Sequence, residues 1–168
     1  MRAAPEHGLG GEAAYVAAYL AFYRATVVQK ARSLPEAELR RPLVPSGWTP
    51  LELVRHLAFM ERRWFVWGFL GEQPADPWGD SQGASDQAWL VPASVSLDDV
   101  EAMLAEQAAR TEAVLSATPL GQVAATTGRF RTDPPDLRYI CFHVLQEYAR
   151  HAGHLDIAVE LAGGPVGE

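Results

Sequence analysis

The sequence predicts an all-α protein, a four-helix bundle. Three observations carry this: apolar residues recur at three- and four-residue intervals in four segments, helix start and stop signals bracket those segments, and the connections between them suit a bundle. The predicted helices run over about 12–32, 49–70, 96–117 and 134–162, and the whole chain, 1–168, reads as one domain.

In the first helix Tyr15, Tyr19, Phe22, Thr26 and Val27 form the recurring set, and Ser33-Leu34-Pro35 ends it because proline cannot continue the hydrogen-bond ladder. The second has the clearest start. Thr49 is placed as N-cap, Pro50 as the first helical residue and Glu52 at N3, where it closes a capping box. Leu53, Leu57, Met60 and Trp64 mark its inward stripe, and Gly71 fits the position just past its end. Residues 72 to 93 are rich in Pro, Gly, Ser and Asp and read as a loop with at most a short helical turn.

Ser96 caps the third helix, with Asp98 and Asp99 in the first turn where the macrodipole favours them. Its apolar face is Val100, Met103, Leu104, Ala108, Thr111 and Leu115. After an irregular stretch over 120–132, the fourth helix begins near Asp133-Pro134-Pro135-Asp136, with either Asp as cap, and Gly163-Gly164 stop it.

Loop length sets the expected topology. The second connection, about 25 residues, can extend about 80 Å, whereas helices of about 20 residues span only ~30 Å. It can cross the bundle and let helices two and three run parallel. The expected order is up-down-down-up, with helices two and four antiparallel.

Bulk properties exclude several function classes. With 168 residues, 48% hydrophobic and 21% charged, the chain can bury its own core. A net charge of −7 disfavours nucleic-acid binding, and the nearest basic features are the doublets Arg40-Arg41 and Arg62-Arg63. No apolar run of membrane-spanning length occurs, the N-terminus has no signal-peptide core, and the single cysteine, Cys141, cannot form an internal disulfide. A cytoplasmic location is expected. Cys141 lies in the apolar run RYICFHVL and reads as a core residue.

The chemistry gathers on the last helix. His143, Glu147, His151 and His154 are spaced by four, four and three and share one face of an apolar helix. Buried polar groups there need partners or an ion. Glu147 and His151, four apart, can converge on one divalent metal, and His56 is the only distant histidine in a helix that can supply a third ligand. His56 lies about 7 residues inside the start of its helix, roughly 10 Å, and His151 about 11 residues from the end of its own, roughly 16 Å. In antiparallel helices those depths nearly coincide. Two His and one Glu leave coordination positions open, as in catalytic zinc sites. Such an ion activates a bound water or thiol.

Other candidates are weighed against this set. Glu52 is a rival ligand already engaged in capping. His143 and His154 either hydrogen-bond to the ligands from behind or line the pocket rim, with the rim favoured for His154. Arg150 and Arg63 could meet a carboxylate or phosphate at the bundle mouth, although a solvated helix face is the expectation for both. Trp64-Phe65-Val66-Trp67 reads as core rather than a substrate box.

Two stretches, RPLVPSGWTPLELVRHLAFMERRWF and LRYICFHVLQEYARHAGHLDIAVEL, together resemble the DinB-like superfamily, which includes the YfiT-like metalloenzymes. They are most similar to its mini-circle-protein branch. GEQPADPW and the acidic start of the third helix fit as well. The resemblance implies an up-down-down-up bundle whose metal is held by a His early in helix two, matching His56, and by two residues four apart in helix four, matching Glu147 and His151. Glu at 147 is similar to the bundle domain of mycothiol-dependent maleylpyruvate isomerase, whose additional C-terminal domain is not seen here.

The chemistry implied is activation of a low-molecular-weight thiol, mycothiol or bacillithiol, at zinc or nickel, and its transfer to an electrophile. A homodimer is implied too. The alternatives are a metal-dependent hydrolase working through the same ligands, and a non-catalytic bundle that binds a small ligand or a partner protein.

Overall fold

The structure, a computed structural model, describes residues 4–82 and 88–166. Its helices are α1 (Glu12–Arg32), α2 (Glu36–Leu39), α3 (Pro50–Arg62), a π-helical segment (Arg63–Phe69), α4 (Leu97–Ala117) and α5 (Leu137–Leu161). Among the described residues there is no strand, only two isolated bridges, Ser81 with Trp89 and Val123 with Asp136. The protein is all-α, as its periodicity requires. No helix among the described residues is long and apolar enough to cross a membrane.

The start signals operate as the sequence states them. Thr49 Oγ1 accepts from the Glu52 amide at 3.2 Å while the Glu52 carboxylate accepts from the Thr49 amide at 2.8 Å. Ser96 and Asp99 form a second capping box, and Asp136 caps α5 by accepting from the Tyr139 amide at 2.8 Å. Gly71 and Gly163 hold φ of +71° and +76°, left-handed conformations that favour glycine after a helix end.

Side-chain contacts set the helix directions. Glu12 meets Arg138 and Lys30 meets Asp156, so α1 and α5 run the same way. Arg32 at the end of α1 reaches Asp98 and Glu101 at the start of α4, so those two oppose each other. Along α3 and the π segment, His56 meets His151, Glu61 meets Tyr148 and Trp64 meets Tyr139, so α3 opposes α5.

Three expectations need correction. The second helix is not α-helical to residue 70. From Arg63 it widens into π geometry, and the Leu70 amide donates to the Phe65 carbonyl at 3.0 Å. Apolar spacing cannot register this, because one extra residue per turn leaves composition unchanged. Second, the buried face of α1 is Val16, Leu20, Arg24, Val27 and Ala31, while Tyr15, Phe22 and Thr26 are only half-buried and Tyr19 is exposed. The aromatics flank the seam, and an arginine occupies its centre. Third, a short helix, α2, stands between α1 and α3 where none was expected.

The arginine is explained by Glu61. Its carboxylate is fully buried and accepts from Arg24 Nε at 3.0 Å, Arg24 Nη2, Thr111 Oγ1 and Tyr148 Oη at 2.7 Å. Four donors from three helices satisfy the one acid, which makes a buried charge tolerable.

Candidate metal centre

The antiparallel run of α3 and α5 brings distant residues to one depth. His56, in the second turn of α3, faces Glu147 and His151 on α5. One ligand atom from each lies within 4.8 Å of the others, so these three could hold a metal ion. The His56 and His151 rings meet edge-on with centroids 5.2 Å apart, and His151 Nε2 stands 3.2 Å from Glu147 Oε2. His151 is buried; His56 and Glu147 are half-buried.

The remaining ring nitrogens have partners. His56 Nδ1 lies 2.9 Å from Asp80 Oδ2, and His151 Nδ1 lies 3.4 Å from His154 Nδ1. An ionised carboxylate can only accept a hydrogen bond. Asp80 is itself gripped by Arg63, with Nη1 on Oδ1 at 2.6 Å and Nη2 on Oδ2 at 3.0 Å. Burial acts to raise the Asp80 carboxyl, but the hydrogen bonds from His56 and Arg63 outweigh it and hold the group below the usual carboxylate range.

Burial pushes His56 below its ordinary value, only partly offset by Asp80. The ring is therefore neutral near pH 7 with a lone pair to offer. The hydrogen bond with His151 lowers Glu147 against the opposing effect of burial, so it is ionised. Desolvation lowers His143 and His154 as well.

Aromatic rings wall the cluster. Trp89 stacks on His56 with centroids 4.2 Å apart and planes 17° from parallel. Trp48 lies within 6.4 Å of Trp89 and 6.3 Å of His154, and Trp64 lies 3.8 Å from His143.

A model of the mycothiol-S-transferase family matches residues 15–164. The chain belongs to this family. No curated protein and no solved structure gives a significant match. All three clustered residues lie inside the matched span, 15–164. The expected DinB-like character and all-α fold agree with membership in the transferase family.

The other sequence candidates divide. His143 approaches Glu147 at 3.6 Å, so it joins the edge of the cluster, and His154 touches it through His151. Arg150 is exposed, and no contact brings it to the cluster among those seen in the described residues; its charge reaches His154. Arg63 overturns its expectation. It is 4% exposed rather than solvated, because the π segment turns it inward onto Asp80 and over the Trp78 ring. Glu52 stays at its cap.

Asp80, Trp48 and Trp89 were missed. Asp80 and Trp89 sit in the crossover loop, 24 and 33 positions from His56, where no helical period relates them to the ligands. For Asp80 the signal was one of four acids in a Pro- and Gly-rich loop, which composition does not tell apart from Glu72, Asp76 and Asp86.

Proposed function

We propose that the protein is a metal-dependent enzyme that activates a low-molecular-weight thiol of the mycothiol type and transfers it to an electrophile. The observation that carries the reading is the meeting of His56, Glu147 and His151 within 4.8 Å, in a chain of the mycothiol-S-transferase family. Ligands of a tetrahedral ion with bonds of about 2.1 Å lie about 3.4 Å apart, so side-chain shifts of about an ångström close this set on zinc or a similar ion. Its donors, two imidazoles and a carboxylate, suit zinc or nickel.

In this proposal His56 and His151 bind through Nε2 and Glu147 through a carboxylate oxygen. A divalent ion so held acts as a Lewis acid that lowers the pKa of a thiol at an open position. Glu147 also lowers the net charge of the site. Trp48, Trp64 and Trp89 exclude water and offer faces to the apolar part of an electrophile. His143 and His154 stand at the rim, where they can move a proton to solvent. The expectations of one domain, a cytoplasmic location and no nucleic-acid partner belong to the same proposal.

The test is metal quantification on protein purified without a nickel column, followed by S-conjugation of monobromobimane with mycothiol. Thiol sulfur forms a bond to carbon, bromide leaves and the thiol proton goes to buffer. About one ion per chain is expected, with conjugation abolished in His151→Ala. Metal-free protein of unchanged stability would refute the proposal. Metal together with ester hydrolysis and no effect of thiols would favour the hydrolase instead.

A further inference from the structure

We infer that Asp80 is a positioning residue for the metal ligand His56: it accepts the Nδ1–H and so fixes Nε2 as the nitrogen offered to the ion. The inference rests on the metal reading above and adds the crossover loop to the site. Asp80 Oδ2 lies 2.9 Å from His56 Nδ1, and the acid is 2% exposed, so water does not compete for the bond. Arg63 also approaches Nδ1, at 3.5 Å, but a guanidinium has only protons to give. With Asp80 as the closer acceptor, the ring must carry its hydrogen on Nδ1. Which nitrogen of an imidazole is protonated is decided by the partner of the other.

The loop is built to hold this acid in place. Arg55 Nη1 donates to the carbonyls of Gly79 and Leu90, both at 2.6 Å, tying the two arms of the loop to α3. The Leu90 amide donates to the Asp80 carbonyl at 2.8 Å. Arg63 fixes both carboxylate oxygens and reaches the Pro77 carbonyl at 3.1 Å. Trp89, one residue before Leu90, stacks on the imidazole and sets its plane. Rotation of the ring is fixed by Asp80 and tilt by Trp89.

The two histidines are then unequal. His151 has a neutral imidazole, His154, behind its Nδ1, whereas His56 has a carboxylate. A carboxylate behind a ligating histidine raises its basicity, and loss of such a partner typically costs 10–100-fold in metal affinity.

The test has two independent readouts. In metal-free protein, long-range nitrogen–proton correlation spectra are expected to give His56 as the Nδ1–H tautomer, with population moving to Nε2–H in Asp80→Ala. Zinc affinity, by competition with a chromogenic chelator, is expected to fall roughly 10–100-fold in Asp80→Ala. Because alanine strands the buried Arg63 charge, Asp80→Asn is measured beside it. It keeps an acceptor, so it should retain the tautomer and lose less affinity. Arg55→Met loosens the same loop without touching His56 and should lose least.

An Nε2–H His56 in the wild-type protein overturns the inference, as does wild-type zinc affinity in Asp80→Ala. So does an Arg55→Met loss equal to that of Asp80→Ala, which would assign the effect to loop placement. Failure of the wild-type protein to bind zinc overturns the metal reading itself and is distinguishable from all three.

Discussion

Glu61 offers the sharpest test of how the bundle tolerates charge at its centre. Replacing it by leucine removes the acceptor of Arg24, Thr111 and Tyr148 at once. Arg24, 7% exposed, keeps its charge, since the guanidinium cannot lose a proton at accessible pH. Stranding one partner of a buried pair costs about 3–5 kcal/mol. The hydroxyls of Thr111 and Tyr148 add about 1 kcal/mol or more if neither finds a new acceptor. For a chain of this length each kcal/mol is worth about 2–4 °C, so Glu61→Leu should melt about 6–20 °C below wild type.

The double variant Arg24→Met/Glu61→Leu removes both charges and fills their volume, and such replacements are often neutral or stabilising. Urea unfolding of the four proteins in the cycle should therefore give a coupling energy above about 2 kcal/mol between the two sites. A loss under about 1 kcal/mol in Glu61→Leu, or additive effects in the double variant, would refute the reasoning. The charge would then be reaching water.

Further outcomes follow from the candidate site and from particular contacts. Zinc at 100 times its dissociation constant should stabilise the native state by about 2.7 kcal/mol, so chelation should lower the wild-type melting temperature by about 5–11 °C and leave His151→Ala unmoved. Burial pushes the Cys141 thiol up to about 12, so iodoacetamide at pH 8 should label it only in denaturant, which mass spectrometry reads directly. Since the native thiol stays protonated to higher pH than the unfolded one, Cys141 also takes stability away as pH rises above about 8.5, a slope that Cys141→Ala should flatten. A Cβ on Gly128 would stand 2.0 Å from the Trp67 carbonyl oxygen and 2.7 Å from Gly71 Cα, so Gly128→Ala should cost at least about 1–3 kcal/mol in urea unfolding. Thr49→Ala should cost about 1 kcal/mol by the same assay, because Glu52 alone leaves an amide of the first turn unmatched.

The helices and their caps were legible because they are local. Thr49-Pro50-Leu51-Glu52 and Ser96 with Asp99 state the start of a helix within four residues, and the interactions that enforce them span no more. The pairing of Glu147 with His151 was equally readable, since helical geometry alone puts residues four apart on one side. His56 could be joined to them through a depth argument, because helix rise converts sequence position into distance along the bundle axis. The rest depended on chain segments that nothing local relates. Arg24 and Glu61 are 37 positions apart, and the carboxylate that makes the arginine acceptable in the core arrives only when α1 and α3 pack. Arg63 reads as one of a solvated doublet until the π segment rotates it inward, and Asp80 reads as a loop acid until the loop folds back on α3. Periodicity carries no account of loop return or of one extra residue in a turn, and those two features put Asp80 behind His56 and Trp89 over it.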